Sequence, residues 1–158
     1  MECTQCDYEE DLVDHNLGLV LHQMSNRSES TGLWLKNLEH HTSKKCPDCS
    51  QPLRKSISYD LPPPLLIFEI NSNNITLSKT IGFEEEDGMK VLQLKGMIYH
   101  GGFHFTSRNV SSDGAVWFND GITTGRQCEK HGDLETMSSR KLMKCRGKNL
   151  VLAIYTLV

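Results

Sequence analysis

The sequence predicts an α+β protein that is mainly antiparallel β-sheet. Its second half contains several short runs of apolar and β-branched residues, each of strand length. Two of these runs, residues 103–108 and 115–118, are separated by a segment made largely of turn residues, 109–114, which predicts a hairpin. One short helix is predicted beside the strands, and the sequence has no internal repeat or low-complexity tract.

The first half of the chain supplies two of the predicted strands and the helix. Residues 17–22 form an apolar run that indicates a buried strand, and a serine-rich turn over 25–30 follows it. Thr31 is the predicted N-cap of the short helix. Three prolines, 62–64, end any helix before a second apolar run, 65–70, which we expect to be a central strand. The hydrophobic residues of the predicted helix are Leu33, Trp34, Leu35 and Leu38.

Polar and acidic segments separate residue 70 from the remaining strands. Residues 71–79 are polar, and residues 84–88 form an acidic turn. We interpret the acidic turn as a solvated loop, with contact to a basic partner as the alternative. Further strands are predicted over residues 91–99 and 149–158, on either side of the hairpin in the sequence.

Length and charge restrict the classes of function. The 158 residues suit one compact domain. Lys and Arg number 17 against 20 Asp and Glu, and the net charge of -3 argues against nucleic acid or an anionic membrane, because either favours a basic face. No apolar run approaches the roughly 18 residues that span a bilayer, and no secretory signal begins the sequence. We therefore expect an intracellular protein, in the cytoplasm or nucleus, with no nucleic-acid or membrane partner.

Four of the six cysteines form two Cys-x-x-Cys pairs, Cys3 with Cys6 and Cys46 with Cys49. Disulfides are rare in a reducing compartment, where close cysteine pairs more often hold a metal. The two-residue gap lets both sulfurs turn toward one ion, and four thiolates around Zn²⁺ form a closed structural site. We predict one structural Zn²⁺ per chain. The 39 residues between the pairs leave room for an extended subdomain.

Other interpretations of the cysteines stay open at the level of sequence. The four could be reduced thiols or a redox pair, although redox catalysis needs only one pair, usually in a thioredoxin-like context. Cys128, His131 and Cys145 could be ligands of a second ion, but their irregular spacing favours ordinary thiols.

A histidine lies on the first strand of the predicted hairpin. Alternation places Phe103 and Phe105 on one face of the strand and His104 on the other. If residues 109–114 close the hairpin, Arg108 pairs with Ala115 and His104 comes opposite Asn119. An imidazole beside an amide is the second half of a Cys-His-Asn arrangement, in which the amide fixes the tautomer of the ring. The alternative is a half-buried histidine with a hydrogen-bonded asparagine.

Taken together, these motifs resemble the ubiquitin-specific protease family of papain-like cysteine deubiquitinases. Two Cys-x-x-Cys pairs about forty residues apart look like its zinc-bearing fingers, which the resemblance assigns to residues 1–60. Residues 61–158 look like its palm, an antiparallel sheet that carries the His box. The palm segments that resemble the family are 61–67, 101–105, 117–120 and 153–157. The implied fold is a papain-like palm with fingers, lacking the N-terminal thumb that carries the Cys box.

The resemblance also implies roles for particular residues. His104 would be the general base and later the acid, and Asn119 would orient it. Asp120 matches a neighbouring acidic position that supports the histidine or the oxyanion water in the family. Gly101 and Gly102 match small residues that give the substrate tail a narrow entry. The implied substrate is the Gly-Gly C-terminus of ubiquitin in isopeptide linkage to a lysine.

One part of the family pattern is missing from this sequence. The family's nucleophile lies in a segment with Asn, Gly, Asn, Thr and Cys, ahead of the fingers and followed by a helix. None of the six cysteines here has that setting. We therefore expect the C-terminal part of such an enzyme, inactive alone, whose missing half or partner chain supplies the thiol. The alternatives are a non-catalytic zinc-containing module that binds ubiquitin or a partner, and a protease for another ubiquitin-like modifier.

Overall fold

A computed structural model of the chain describes residues 1–11, 19–24, 30–36, 40–55, 59, 61–72, 74–85 and 88–158. Some predictions fall elsewhere: the first two residues of the strand 17–22, most of the turn 25–30, Leu38, and two residues of the acidic turn lie outside the described residues.

The described residues form twelve strands, two short α-helices and one 3-10 turn at residues Leu134–Thr136. The first group of elements is β1 (Glu2–Cys3), β2 (Leu19–Met24), α1 (Thr31–Lys36), β3 (His40–Lys45), β4 (Pro52–Lys55), β5 (Leu65–Ile70) and β6 (Thr80–Glu85). The second group is β7 (Gly88–Gly101), β8 (His104–Val110), β9 (Ala115–Asn119), β10 (Glu129–Asp133), α2 (Ser139–Met143), β11 (Lys144–Cys145) and β12 (Lys148–Leu157).

Nine of these strands belong to one large sheet, in the order β10-β9-β8-β7-β12-β5-β2, with β6 paired to β7 and β11 to β12. Every neighbouring pair is antiparallel except β2 with β5. The predicted class, α+β and mainly antiparallel β, is confirmed. No helix among the described residues is long and apolar enough to cross a membrane.

The remaining strands, β1, β4 and β3, form a small antiparallel sheet. It brings the two ends of the first 55 residues together, since Cys3 of β1 lies opposite Leu53 of β4. The predicted fingers segment, residues 1–60, also supplies β2 and α1, and β2 pairs with β5 in the large sheet. The two sheets therefore alternate along the first 60 residues, and the division at residue 60 stays a prediction.

The core of the large sheet follows from alternation along its strands. In β5 every second residue is buried, ending with Phe68 and Ile70. The Phe68 ring meets Trp34 of α1 edge-on at 5.6 Å between centroids and Tyr155 of β12 at 5.7 Å. Burying one large aromatic side chain in such a core is worth about 3–5 kcal/mol against alanine. These contacts attach α1 to the centre of the sheet.

The cap of α1 differs by one residue from the prediction. Ser30, rather than Thr31, accepts the first helical bond, because its hydroxyl receives the Leu33 backbone N–H at 3.1 Å. Thr31 is fully buried, and its hydroxyl lies 2.8 Å from the Tyr155 hydroxyl. Thr31 therefore links the helix to β12 instead of capping it.

The hairpin of β8 and β9 exists, but its predicted register is wrong. Arg108 lies opposite Phe118 rather than Ala115, and Asn119 lies opposite Ser107 rather than His104. The turn is shorter than predicted because Val110 continues the ladder and pairs with Val116. Ser111 also donates its backbone N–H to the Ala115 carbonyl, so the pairing moves by three positions.

Candidate active site and four-cysteine cluster

His104 follows a two-residue turn that connects β7 to β8. Gly101 of β7 pairs with His104 of β8, so Gly102 and Phe103 form the turn. Both turn residues have positive φ, +62° and +58°, as a turn that matches the twist of the strands requires. Glycine adopts this conformation freely, whereas a phenylalanine pays about 1–2 kcal/mol for it. His104 is thus the first residue of a strand, next to a strained position.

The His104 side chain is hydrogen-bonded to Asp120, the first residue after β9. His104 Nε2 lies 2.8 Å from Asp120 Oδ1, and the two side chains are 27% and 10% exposed. The same oxygen accepts the backbone N–H groups of Ile122 at 3.0 Å and Thr123 at 3.4 Å. The hydrogen bond from His104, followed by these backbone bonds, lowers the pKa of Asp120 to about 2 against the opposing effect of burial. Asp120 is therefore a carboxylate at neutral pH.

Asn119 makes no side-chain hydrogen bond to His104. Along the end of β9, Phe118 and Asp120 are buried and Asn119 between them is half-buried, as expected when successive side chains alternate between faces. The Asn119 amide nitrogen instead reaches three oxygens of the following loop. Every side-chain hydrogen bond that the structure gives Asn119 goes to that loop. The role of Asn119 in orienting His104 stays a prediction.

The two predicted substrate-binding glycines differ in their surroundings. A Cβ on Gly101 would lie 3.3 Å from the Lys148 Cα, so the chain is tight there. Gly102 is exposed, and a Cβ on it would meet nothing within 4 Å. A contact between either glycine and a substrate stays a prediction.

The four cysteines of the two Cys-x-x-Cys pairs converge on one point. Their sulfurs all lie within 4.8 Å of one another, with Cys3 to Cys49 at 3.3 Å and Cys6 to both Cys46 and Cys49 at 3.6 Å. Four sulfurs held tetrahedrally at about 2.3 Å from a zinc ion lie roughly 3.8 Å apart, close to these values. All four are free thiols. The cluster could hold a metal ion.

The small sheet and the turn that precedes β4 bring these sulfurs together. The Cys3 backbone N–H donates to the Tyr8 carbonyl at 2.9 Å, and the Cys46 N–H donates to the Gln51 carbonyl at 2.7 Å. Each Cys-x-x-Cys pair therefore lies in a closed turn. The Gln5 N–H donates to the Cys3 sulfur at 3.4 Å and is the main cause that lowers the pKa of Cys3 to about 7.

Comparisons with known proteins agree with the fold and leave the activity open. No protein-family model matches the sequence, and no curated protein matches it. Among solved structures, the fold matches the "SAGA Ubp8/Sgf11/Sus1/Sgf73 DUB module bound to ubiquitin aldehyde" with a TM-score of 0.54 at 12% identity. The chain has a fold like that of the ubiquitin-specific proteases. The match covers 88% of this chain and 36% of that one, so the chain spans about a third of its neighbour's length.

In this USP-like fold, the three residues considered as ligands of a second ion do not form a cluster. Cys128 is exposed, and Cys145 is buried in β11, where burial raises the pKa of its thiol. His131 of β10 stacks on Phe118 with ring centroids 4.6 Å apart. Among the described residues, the one group whose ligand atoms converge is the four-cysteine cluster. The structure does not support a second metal site at Cys128, His131 and Cys145.

Two features of the region escaped the sequence analysis. The loop of residues 120–127 has hydrogen bonds within itself and to Asn119, and no sequence motif predicts it. Arg108 is buried, and its guanidinium donates to Tyr99, to two carbonyls near α2, and to His131. Arg108 lies in β8, two residues from Thr106 and two from Val110, which are both buried. This spacing, which places all three side chains on one face of the strand, could have indicated that Arg108 is buried.

Proposed function

We propose that this chain is the C-terminal part of a ubiquitin-specific thiol protease, which hydrolyses isopeptide bonds at the C-terminus of ubiquitin. The observation that carries the proposal is the His104–Asp120 pair, held at 2.8 Å at the end of a hairpin in a USP-like sheet. The structural neighbour is a deubiquitinase module bound to ubiquitin aldehyde. That neighbour supports ubiquitin as the substrate class.

The geometry of the pair suits acid–base catalysis beside a thiol. The Asp120 carboxylate can only accept a hydrogen bond, so the proton in its bond with His104 belongs to Nε2. The neutral ring then has its lone pair on Nδ1, which is left to take the proton from a thiol. The thiolate attacks the carbonyl carbon of the terminal glycine, and His104 returns the proton to the departing lysine amine. Water then hydrolyses the thioester and restores the thiol.

The nucleophile in this proposal comes from another segment or from a partner chain. Four cysteines belong to the cluster, Cys145 is buried with a raised pKa, and Cys128 is exposed on a loop without a recognisable activating group. In a triad that acts as a unit, removing the nucleophile costs on the order of 10⁶ in rate. We therefore propose that the chain alone has little or no protease activity.

Zinc is the metal that we propose for the four-cysteine cluster. Four sulfur ligands with no open position are typical of structural Zn²⁺, which would fix the turns that carry both Cys-x-x-Cys pairs. Cys3, Cys6, Cys46 and Cys49 would hold it, and no step of the hydrolysis passes through it.

A titration of ¹⁵N-labelled ubiquitin with the chain tests the proposed substrate. We expect saturable shifts that include the C-terminal tail and that weaken at least tenfold when the last two glycines of ubiquitin are removed. A matched titration with other ubiquitin-like modifiers identifies the preferred one. Binding that ignores the tail would favour a non-catalytic module, the second candidate, which the absence of a suitably placed thiol among the six cysteines supports. No binding of any modifier would contradict the proposal.

A further inference from the structure

The loop that follows β9 is closed by one hydroxyl. The Thr124 hydroxyl donates to the Asp120 carbonyl at 2.9 Å and accepts the Asp120 backbone N–H at 2.9 Å. It also accepts the Asn119 amide at 3.2 Å. A hydroxyl has one donor and two acceptor positions, so all three are used. The Thr124 backbone N–H adds a fourth bond, to the Asp120 carbonyl at 2.8 Å. Thr124 thereby fixes the backbone of Asp120 on both sides.

The Asn119 side chain also bonds to the C-terminal part of the same loop. Besides Thr124, its amide nitrogen lies 3.1 Å from the Gly125 carbonyl oxygen and 2.9 Å from the Gln127 carbonyl oxygen. All three atoms that it reaches are oxygens that accept. The contact therefore requires the NH₂ group of an asparagine, and a carboxylate at position 119 would face three acceptors.

The loop also binds the Asp120 carboxylate through its backbone. Its Oδ1 accepts the N–H groups of Ile122 and Thr123, which belong to the loop, as well as His104 Nε2. The loop therefore holds the carboxylate in its orientation independently of the imidazole. A chain of hydrogen bonds runs from Asn119 through Thr124 and the loop backbone to Asp120 and then to His104.

We propose that Asn119 and Thr124 are positioning residues, which act on His104 only through the loop of residues 120–127 and the carboxylate of Asp120. The proposal rests on the proposed function, in which His104 is the acid–base group. It assigns Thr124 a role and replaces direct orientation of His104 by Asn119 with an indirect one. Asn119 closes the loop, Thr124 fixes Asp120, and Asp120 sets the tautomer of His104.

The test measures the tautomer of His104 and the pKa of Asp120 in the chain itself, by NMR of labelled histidine rings at pH 8 and of the carboxyl carbon during an acid titration. Wild-type His104 is expected as the Nε2–H tautomer. In Thr124→Val we expect a mixture of tautomers and an Asp120 pKa that moves from about 2 toward its ordinary value of 3.8. Thr124→Ser keeps the hydroxyl and should restore both readings. Thr136→Val, which removes a hydroxyl bonded to the Asp133 carbonyl elsewhere, should change neither.

Two substitutions of Asn119 separate the indirect role from the direct one. Asn119→Asp keeps an acceptor that could hold His104 but removes the donors that close the loop, so we expect it to lose the tautomer as fully as Asn119→Ala does. Asn109→Asp, on the exposed face of the neighbouring strand, controls for the added charge. The proposal is overturned if Asn119→Asp keeps the Nε2–H tautomer while Asn119→Ala loses it, or if Thr124→Val leaves both readings unchanged. Neither reading needs ubiquitin, so failure here is distinct from failure of the proposed function.

Discussion

At the scale of single residues, the buried side chain of Arg108 makes four hydrogen bonds. Its Nη1 donates to the carbonyls of Lys141 and Lys144 at 2.7 and 3.3 Å and to the Tyr99 hydroxyl at 3.2 Å. Its Nε donates to His131 Nδ1 at 3.3 Å. Tyr99 donates in turn to the Leu142 carbonyl at 2.8 Å, and burial raises the pKa of Tyr99 to about 12. Arg108 thus ties the hairpin to α2.

Because of this network, we expect protonation of His131 in acid to destabilise the fold. Because Nδ1 accepts from Arg108, the ring must be neutral with its proton on Nε2. Burial, with Arg108 and Arg146 nearby, lowers the pKa of His131, while Glu129 opposes the shift. A base with a lowered folded-state pKa binds its proton more readily when unfolded. Its contribution to stability is therefore present above the ordinary pKa of 6.5 and is lost as pH falls through the lower folded value.

Urea unfolding of wild type and His131→Gln between pH 8 and pH 5 measures this effect. Glutamine can still accept from Arg108 but does not titrate. We expect the wild type to lose stability relative to the variant as the pH falls below about 6.5, the ordinary histidine value. A constant difference between the two proteins over this range would mean that His131 does not titrate differently on folding.

At the scale of elements, the turn between β7 and β8 carries a cost that substitution should relieve. Phe103 has a φ of +58° and a fully exposed side chain, so the residue is strained without burying its ring. Phe103→Asn should stabilise the fold by about 1 kcal/mol, since asparagine tolerates this conformation. Chemical denaturation measures the gain, with Phe103→Ala as the control, since it also removes the exposed ring but leaves a Cβ at positive φ. A loss of stability in Phe103→Asn would show that the ring makes a contact that outweighs the strain.

The four-cysteine cluster lies beside the small sheet, since Cys3 belongs to β1 and Cys46 and Cys49 precede β4. Metal analysis of protein purified under reducing, chelator-free conditions should give about one zinc per chain. Chelation or Cys49→Ser should remove the metal and lower the melting temperature, because the ligands hold β1 against β4. Cys128→Ser alters an exposed thiol outside the cluster and should leave both measurements unchanged. A zinc content near zero in the wild type would contradict the four-sulfur site.

The elements themselves were largely predictable, and their register was not. Short runs of apolar and β-branched residues predicted the strands that became β5, β7, β8, β9 and β12. The hairpin register failed because residues 109 and 110 continue a ladder that composition assigns to a turn. His104 bonds to Asp120 rather than to Asn119 for two reasons. Successive side chains at the end of β9 point to opposite faces, and hydrogen bonds within the following loop hold the Asp120 carboxylate in place. No pattern of residue types specifies that loop.

At the scale of the whole molecule, the chain provides one side of a proposed catalytic centre. It has the His104–Asp120 pair and the four-cysteine cluster in a USP-like fold, and it spans 36% of the neighbouring chain. The convergence of the four cysteines could be predicted from their spacing, because Cys-x-x-Cys is a local motif. The burial of Arg108 was not predicted, because charged side chains are seldom buried.

A ubiquitin probe with an electrophile at its C-terminus tests for a nucleophile in these 158 residues. We expect no covalent adduct with the chain alone, since Cys145 is buried and Cys128 has no recognisable activating group. Mass spectrometry of the mixture detects an adduct directly. Labelling that disappears in Cys128→Ser or Cys145→Ser would show that the chain carries its own nucleophile.

The measurement that tests the account most directly is the NMR spectrum of the His104 ring as unlabelled ubiquitin is added. If His104 is the acid–base group for the ubiquitin C-terminus, its ring signals should shift in a saturable way. They should stay in place with ubiquitin that lacks its last two glycines. The ring of His131, half-buried beside Arg108, serves as the internal control. Unchanged His104 signals at ubiquitin concentrations that saturate the chain would contradict the account.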